Sequence, residues 1–389
     1  MSDRLHCRQS GTSGAATTLT GVTHDLAERL DRARAATRAA GIDALLVSPG
    51  PDLAYLTGYD AKALERLTCL VLPAEGDIRL VAPGLEKAAA LASPVADLDI
   101  EIVTWQERDD PYALTASLVP GASRLALDNH MWAEKVLALR HAMPAAEQSL
   151  ANRVIAQLRM RKSEVEVGHL RDAGAAIDRV HRRMGEWLRP GRSEREVARD
   201  IGAAIIAEGH TQVDFIIVGS GPNGASPHHD VSDRVIETGD AVVVDIGGTN
   251  AAGYCSDCTR NYVAGAAPDS EYVEYYEVLA QAQAAQRAHS RPGVTAASVD
   301  VVGRDIIAAA GFGEAFLHRT GHGIGLETHE EPYIIAGNDL VLETGMAFSI
   351  EPGIYLEGRH GARIEDIVVI TDDASEVLNT TAREYALLV

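Results

Sequence analysis

Glu237-Thr238-Gly239-Asp240-Ala241 recurs as Glu343-Thr344-Gly345-Met346-Ala347, and in each copy an acid stands six residues after the Gly, Asp245 in the first and Glu351 in the second. Each acid has a further Gly two residues on. Behind each copy lies a second strand-like stretch with its own acid: Asp257 in Tyr254-Cys255-Ser256-Asp257-Cys258, and Glu365 in Arg363-Ile364-Glu365-Asp366-Ile367. Buried carboxylates are costly unless paired or metal-bound. Four of them in two matching frames of apolar, strand-like sequence therefore point to a shared metal site.

The repetition extends outward from these acids. Arg189-Pro190-Gly191-Arg192-Ser193, with Val197, matches Arg291-Pro292-Gly293-Val294-Thr295, with Val299. The RPG strings lie 102 residues apart (189 to 291) and the acid frames 106 apart (239 to 345). ETG and RPG are common turn strings singly, but their joint order at near-equal offsets implies duplication. Each unit would run helix, RPG turn, capped helix, hairpin. The expectation is a pseudo-twofold α+β domain whose two hairpins face one another and bring their acids together.

At 389 residues the chain exceeds the size at which one core usually splits, so two domains are expected. The first 150 residues alternate strand and helix as an α/β domain. Strand-like runs lie at 43–48, 67–72, 78–82, 100–105 and 124–127, with Ala-rich helical stretches near 84–92, 110–118 and 132–141. Apolar and Ala positions with helical spacing (Leu26, Ala27, Leu30, Ala33, Ala36, Ala40) place a helix from His24 to Ala40, with Gly41 as its stop. A long helical pattern over Asn152 to Arg189, with Ser163 and Glu166 spaced as a capping box, opens the second domain, 151–389. Residues 1–22, rich in Ser, Thr and Gly, read as a flexible tail before a domain at 23–150.

With 46% apolar and 23% charged residues the composition is that of a soluble globular protein. A net charge of -21 argues against nucleic-acid and anionic-membrane partners. No apolar run reaches membrane-span length and the N-terminal segment has no signal-peptide core, so the cytoplasm is expected. Four cysteines, at 7, 69, 255 and 258, are too few and too scattered for a disulfide scaffold and are expected as free thiols.

Asp245 ends Ala241-Val242-Val243-Val244, and Asp257 lies in the return strand across a Gly-containing turn. As cross-strand neighbours on one face their Cβ atoms would lie within about 5.5 Å, close enough to bridge a metal pair. Either acid alone reads as a turn cap; with Glu351 and Glu365 the metal reading prevails. An imidazole ligand is available in His318-Arg319-Thr320-Gly321-His322-Gly323-Ile324-Gly325-Leu326-Glu327-Thr328-His329-Glu330-Glu331-Pro332, where three His fall among glycines that let the backbone approach a ligand. Four carboxylates balance two divalent cations, and such ligation suits Mn²⁺, Co²⁺ or Zn²⁺.

Three motifs do not carry function. Gly219-Ser220-Gly221-Pro222-Asn223-Gly224 fits G-x-G-x-x-G, but Ala225-Ser226-Pro227-His228-His229-Asp230 follows with no helix to hold a pyrophosphate. Cys255 and Cys258 form C-x-x-C, but strand alternation sends their thiols to opposite faces and no second pair exists. His329-Glu330-Glu331-Pro332 lacks the second His of H-E-x-x-H.

In order and context, Asp245, Asp257, His322, Glu351 and Glu365 resemble the metal ligands of the pita-bread metallopeptidases, the family of methionine aminopeptidase, aminopeptidase P and prolidase. The resemblance covers nearly all of the second half. Leu53-Ala54-Tyr55-Leu56-Thr57-Gly58, in a preceding α/β domain, resembles the creatinase-type N-terminal domain of the proline-specific branch, and the size is similar to actinobacterial-type Xaa-Pro dipeptidases. The resemblance implies that Asp245 chelates one metal, Asp257 and Glu365 bridge both, and His322 and Glu351 complete the site. It implies hydrolysis of an Xaa-Pro bond by a metal-bridging hydroxide, with Mn²⁺ the foremost ion and Co²⁺ or Zn²⁺ as alternatives. Glu351 would carry the proton to the proline nitrogen, and His228 and His329 would hydrogen-bond the carbonyl or oxyanion. His318 would be a further pocket histidine, Arg363 would pair with a ligand carboxylate, and His229 would be peripheral. A homodimer is also implied.

One position departs from that pattern. In prolidases an Arg follows the HE-x-P string and reads the dipeptide carboxylate; here Tyr333 stands there. Arg66, or another N-terminal-domain residue reaching in from a dimer partner, is the hypothesised substitute. Two rivals stay open: an aminopeptidase acting on longer peptides with proline second, and a metal-free creatinase-like hydrolase or histone-chaperone-like binding module.

Overall fold

The computed structural model describes residues 13–389, with side chains from residue 24 onward. The tail expected at 1–22 lies outside the described residues as far as 12. From Ser13 the backbone is already helical, so the first helix starts earlier than the expected His24. Between Leu158 and Arg159 the chain divides into two compact units.

In the first unit β1 (Ala44–Val47), β2 (Cys69–Pro73), β3 (Ile78–Pro83), β4 (Ile100–Trp105), β5 (Arg124–Leu127) and β6 (Glu147–Leu150) form one sheet in the order β4-β3-β2-β1-β5-β6. β1 pairs antiparallel with β2 and parallel with β5, so the sheet is mixed. Its helices are α1 (Ser13–Ala39), α2 (Pro51–Thr57), α3 (Lys87–Leu91), α4 (Pro111–Ser117), α5 (Ala133–Ala142) and α6 (Asn152–Arg159). β6 and α2 were absent from the sequence reading. β6 is a polar edge strand, Glu-Gln-Ser-Leu, without the apolar alternation that marks a strand. α2 takes in Leu53 to Thr57 of the Leu53-to-Gly58 stretch and stops where Gly58 takes φ +68°.

The second unit opens with α7 (Glu164–Arg182), not with one helix from 152 to 189. Around Met160 to Ser163 the chain runs extended, Arg161 bridging to Met346, before the Ser163/Glu166 capping box starts α7. α8 (Glu194–Ala207) then packs with α7 on a four-stranded sheet, ordered β17-β9-β8-β7, of β7 (His210–Ser220), β8 (Ala241–Asn250), β9 (Cys255–Ala264) and, last in the chain, β17 (Ala386–Leu388). α9 (Ser270–His289) and α10 (Ala296–Ala309) precede a five-stranded antiparallel sheet. Its order is β11-β10-β12-β15-β16, from β10 (Gly321–Gly323), β11 (Glu330–Ile334), β12 (Ala347–Ile350), β15 (Asp366–Ile370) and β16 (Ser375–Val377). β13 (Gly353–Leu356) and β14 (His360–Arg363) form a separate hairpin.

The internal duplication is present in the hydrogen bonds. Gly191 N and Ile236 N bond Ile236 O and Arg192 O, just as Gly293 N and Leu342 N bond Leu342 O and Val294 O. Ser193 bridges to Val235 and Thr295 to Val341, and these two residues cap α8 and α10. The RPG turns therefore tie each capped helix to the segment leading into its acid-bearing strand. G-x-G-x-x-G forms a single 3₁₀ turn, Gly221–Ala225, with no α-helix behind it. Cys255 and Cys258 pack into different apolar clusters on the two faces of β9.

Candidate metal centre and its pocket

β8 and β9 set the first pair of acids, though not in the expected register. Asp245 faces Thr259 and Asp257 faces Gly247, so the carboxylates are diagonal neighbours on one face, where Cα separations are about 7–8 Å. The side chains close the gap, since carboxylate oxygens of Asp245, Asp257 and Glu365 lie within 4.8 Å of one another. Gly247 is needed here, because a Cβ would come 2.4 Å from the Phe215 ring and from Ser256 O. The second pair sits just beyond a strand end: Ile350 pairs with Asp366, placing Glu351 and Glu365 at the next step of the ladder. His322 joins from β10, its Nε2 3.1 Å from Glu351 Oε1 and 3.7 Å from Asp257 Oδ2. Gly321 permits this approach, since a Cβ there would strike Ser349 O at 1.8 Å.

The electrostatics suit a cation. Asp245, Asp257, His322 and Glu365 are all under 8% exposed. Burial, then the neighbouring carboxylates, push Asp257 and Glu365 well above the usual range. Glu351 is pushed up by burial but brought down to about 2 by its contact with His322 and by His318 and Arg363 beside it. Asp245 Oδ1 and Asp257 Oδ1 are buried and have no hydrogen-bond partner among the described residues. His322 Nδ1 lies 3.1 Å from Gly323 O, which can only accept, so a neutral ring turns the Nε2 lone pair toward the acids. Orphaned oxygens, mutual repulsion and a bare imidazole nitrogen fit divalent ions held by oxygen-rich ligation.

Arg363, 3% exposed, organises the surroundings. It donates to Asp245 Oδ2 (2.6 Å), Thr259 Oγ1 (3.0 Å), Tyr355 Oη (2.8 Å) and Pro227 O (3.2 Å), while Thr259 Oγ1 donates to Glu365 Oε2 at 2.8 Å. Asp245 and Glu365 are thereby linked through one guanidinium. His318 Nε2 lies 2.9 Å from Tyr355 Oη, and burial lowers its pKa.

The carboxylate cluster with His322, and Arg363 and His318 beside it, line a cavity of about 950 Å³ together with His228, His229, Arg319 and His329. The His329 ring centroid is 4.0 Å from that of His322. Although the residue as a whole is exposed, burial of the ring, then the charges of His322 and Arg319, bring its pKa down to about 4. Its neighbour Glu330 is gripped by Lys162 Nζ at 2.6 Å and by Arg159, which anchors β11.

His229 is not peripheral. It lines the cavity, and its Nε2 lies 2.8 Å from Glu194, a fully buried carboxylate at the start of α8. Glu194 also accepts from Ser220 N and Oγ, Asn223 Nδ2, and Ser232 N and Oγ. It thus clamps both ends of the loop that carries His228. Burial raises its pKa, but the hydrogen bonds from Ser232, Ser220 and His229 outweigh burial and bring it to about 2. The sequence reading missed it because an acid in the first turn of a helix reads as a dipole partner.

Arg66 belongs to the first unit, where its guanidinium pairs with Glu107 at 2.7 Å and Glu65 at 2.6 Å. It is not among the residues lining the cavity. Nor is Tyr333, yet the Arg319 guanidinium lies 4.5 Å above the Tyr333 ring. Sequence reasoning gave Arg319 no role; what identifies it is this contact, made between the residue just before β10 and one within β11.

The sequence pattern of metallopeptidase family M24 matches residues 168–372, and that of the creatinase/prolidase N-terminal domain matches 29–161. The chain is 54% identical over 363 residues to a probable dipeptidase PepE of Mycobacterium tuberculosis, covering 93% of this chain and 96% of that protein. It is 37% identical over 359 residues to an Xaa-Pro dipeptidase of Lactobacillus delbrueckii subsp. lactis, covering 90% and 95%. The crystal structure of dipeptidase PepE from Mycobacterium ulcerans superposes with a TM-score of 0.91 at 51% identity, over 94% of this chain and 98% of that one.

Proposed function

The chain belongs to metallopeptidase family M24, and from that premise we propose that it hydrolyses the Xaa-Pro bond of dipeptides, using two divalent metal ions at Asp245, Asp257, His322, Glu351 and Glu365. The observation that carries this reading is the convergence of these five side chains in one cavity with His228, His318 and His329. Mn²⁺ is the ion proposed first, with Co²⁺ or Zn²⁺ as alternatives, since the donors are oxygen-rich with one imidazole. When bound, the ions supply Lewis-acid polarisation of the scissile carbonyl and a lowered pKa for water.

The chain's own residues do the rest. Glu351, steadied by Ser349 Oγ at 3.0 Å, takes a proton from the attacking water and delivers it to the proline nitrogen as the C–N bond breaks. His228 and His329 donate N–H groups to the carbonyl oxygen as it gains negative charge. Arg363 keeps Asp245 oriented, and His318 with Tyr355 fixes the adjoining wall. A homodimer follows from the family resemblance and is tested by light scattering. No helix among the described residues is long and apolar enough to cross a membrane.

The test is turnover of Xaa-Pro dipeptides by Mn²⁺-loaded protein, loss of activity after chelation, and recovery when Mn²⁺ returns. Full activity in protein shown to be metal-free would overturn the reading. Tyr333 in place of an arginine favours a second reading, an aminopeptidase for longer peptides, and faster turnover of Leu-Pro-Gly than of Leu-Pro would support it.

A further inference from the structure

We infer that Arg319 reads the free carboxylate of the dipeptide, held in position by the Tyr333 ring beneath it. The inference rests on the dipeptidase reading above. A dipeptide is a zwitterion whose carboxylate is separated from the scissile carbonyl by only the proline nitrogen and Cα. A site selective for dipeptides therefore needs a cation inside the same cavity as the oxyanion donors.

Among the described residues, the arginine and lysine side chains of the second unit near this cavity have partners, with one exception. Arg363 serves Asp245, Thr259 and Tyr355; Arg159 and Lys162 hold Glu330; Arg304 holds Asp300 and the carbonyls of Phe316 and His318. Arg319 lines the cavity half-buried, and among the described residues no carboxylate pairs with it. A guanidinium that has lost part of its hydration without gaining an ionic partner is suited to an anionic ligand.

It is also pre-organised. The guanidinium carbon lies 4.5 Å from the centre of the Tyr333 ring, a cation–π contact that restrains the side chain, while among the described residues its N–H groups make no hydrogen bond and can serve a bidentate carboxylate. The backbone behind it is rigid: His318 Nδ1 bonds Arg319 O at 2.7 Å, and Arg304, locked to Asp300, holds His318 O at 2.9 Å. The Arg319 charge already acts on His329, one of the proposed oxyanion donors. Position 333 thus contributes a platform while position 319 contributes the charge.

The test compares Leu-Pro with Leu-Pro amide, which lacks the carboxylate, using Mn²⁺-loaded wild type, Arg319→Ala, Arg319→Lys and Arg66→Ala. In parallel, calorimetry compares binding of L-proline with L-prolinamide, which needs no turnover. Arg319→Ala should raise the KM for Leu-Pro about 30-fold, the scale of a lost charge-assisted bidentate contact, and erase the preference of acid over amide. Arg319→Lys should recover part of that preference. Because the guanidinium holds no hydrogen bond among the described residues, the melting temperature should stay within a few degrees. An unchanged preference in Arg319→Ala, or its collapse in Arg66→Ala instead, overturns the inference. If wild type turns over no Xaa-Pro dipeptide, the dipeptidase reading fails, while the calorimetry still decides on Arg319: equal affinity for proline and prolinamide refutes it.

Discussion

Replacing Glu194 by alanine tests how the fold delivers His228 to the cavity. The carboxylate is fully buried and accepts from two main-chain N–H groups (Ser220 at 2.8 Å, Ser232 at 3.1 Å), from Asn223 Nδ2 at 3.0 Å and from His229 at 2.8 Å. The Ser220 and Ser232 hydroxyls can rotate to other acceptors; the other four donors cannot. At about 1–3 kcal/mol for each orphaned buried group, reduced by partial opening of the loop to water, Glu194→Ala should cost about 4 kcal/mol. For a unit of this size that lowers the melting temperature by roughly 8–15 °C. A pH series adds an independent check. The folded carboxyl titrates at about 2 against 4.5 for the unfolded chain, so its contribution is complete above 4.5 and is lost as pH falls toward 2. By pH 3.5 about 1 kcal/mol of it should be gone, narrowing the gap between wild type and variant in urea titrations. Turnover of Leu-Pro should fall at least tenfold in kcat as His228 loses its support. A melting temperature within 1–2 °C of wild type would refute the anchoring argument; intact kcat in a destabilised variant would refute its link to His228.

Adding Mn²⁺ to chelated protein should raise its melting temperature, because four clustered carboxylates are relieved of mutual repulsion. Asp257→Asn should melt higher than wild type without metal yet lose the Mn²⁺-dependent increment; an undiminished increment would remove Asp257 from the ligand set. His228→Gln and His329→Gln should each reduce kcat about 10²-fold, the scale of one oxyanion donor, with little change in bound metal by elemental analysis. Cys255 and Cys69 are buried, with thiols pushed up to about 11 and about 12, and burial pushes Cys258 well above its ordinary value. A Cys7→Ser variant should therefore react negligibly with a thiol reagent until unfolded.

The duplicated ETG and RPG frames were enough to announce a pseudo-twofold domain because each is a short-range signal: a turn, a cap and an apolar run within a few residues. The five candidate ligands were legible for a related reason, since carboxylates in apolar strand sequence contradict their surroundings unless an ion is shared. What failed was register. Asp257 was placed directly opposite Asp245, yet the strands pair it with Gly247, because the turn between β8 and β9 and the packing of Phe215 against Gly247 set the ladder.

Residue type and spacing thus determined the two-domain order, the repeat, the cluster of candidate ligands and the His-rich pocket. Tertiary structure alone decided that Glu194 clamps the His228 loop from the start of a helix, that His229 borders the cavity, and that Arg319 lies over Tyr333. Each of these depends on where segments distant in sequence meet, and no local pattern records which acid a buried loop bonds to or which ring a guanidinium covers. The structure likewise adds what spacing could not show for Arg66, which pairs with Glu107, 41 residues away in sequence, as well as with the adjacent Glu65.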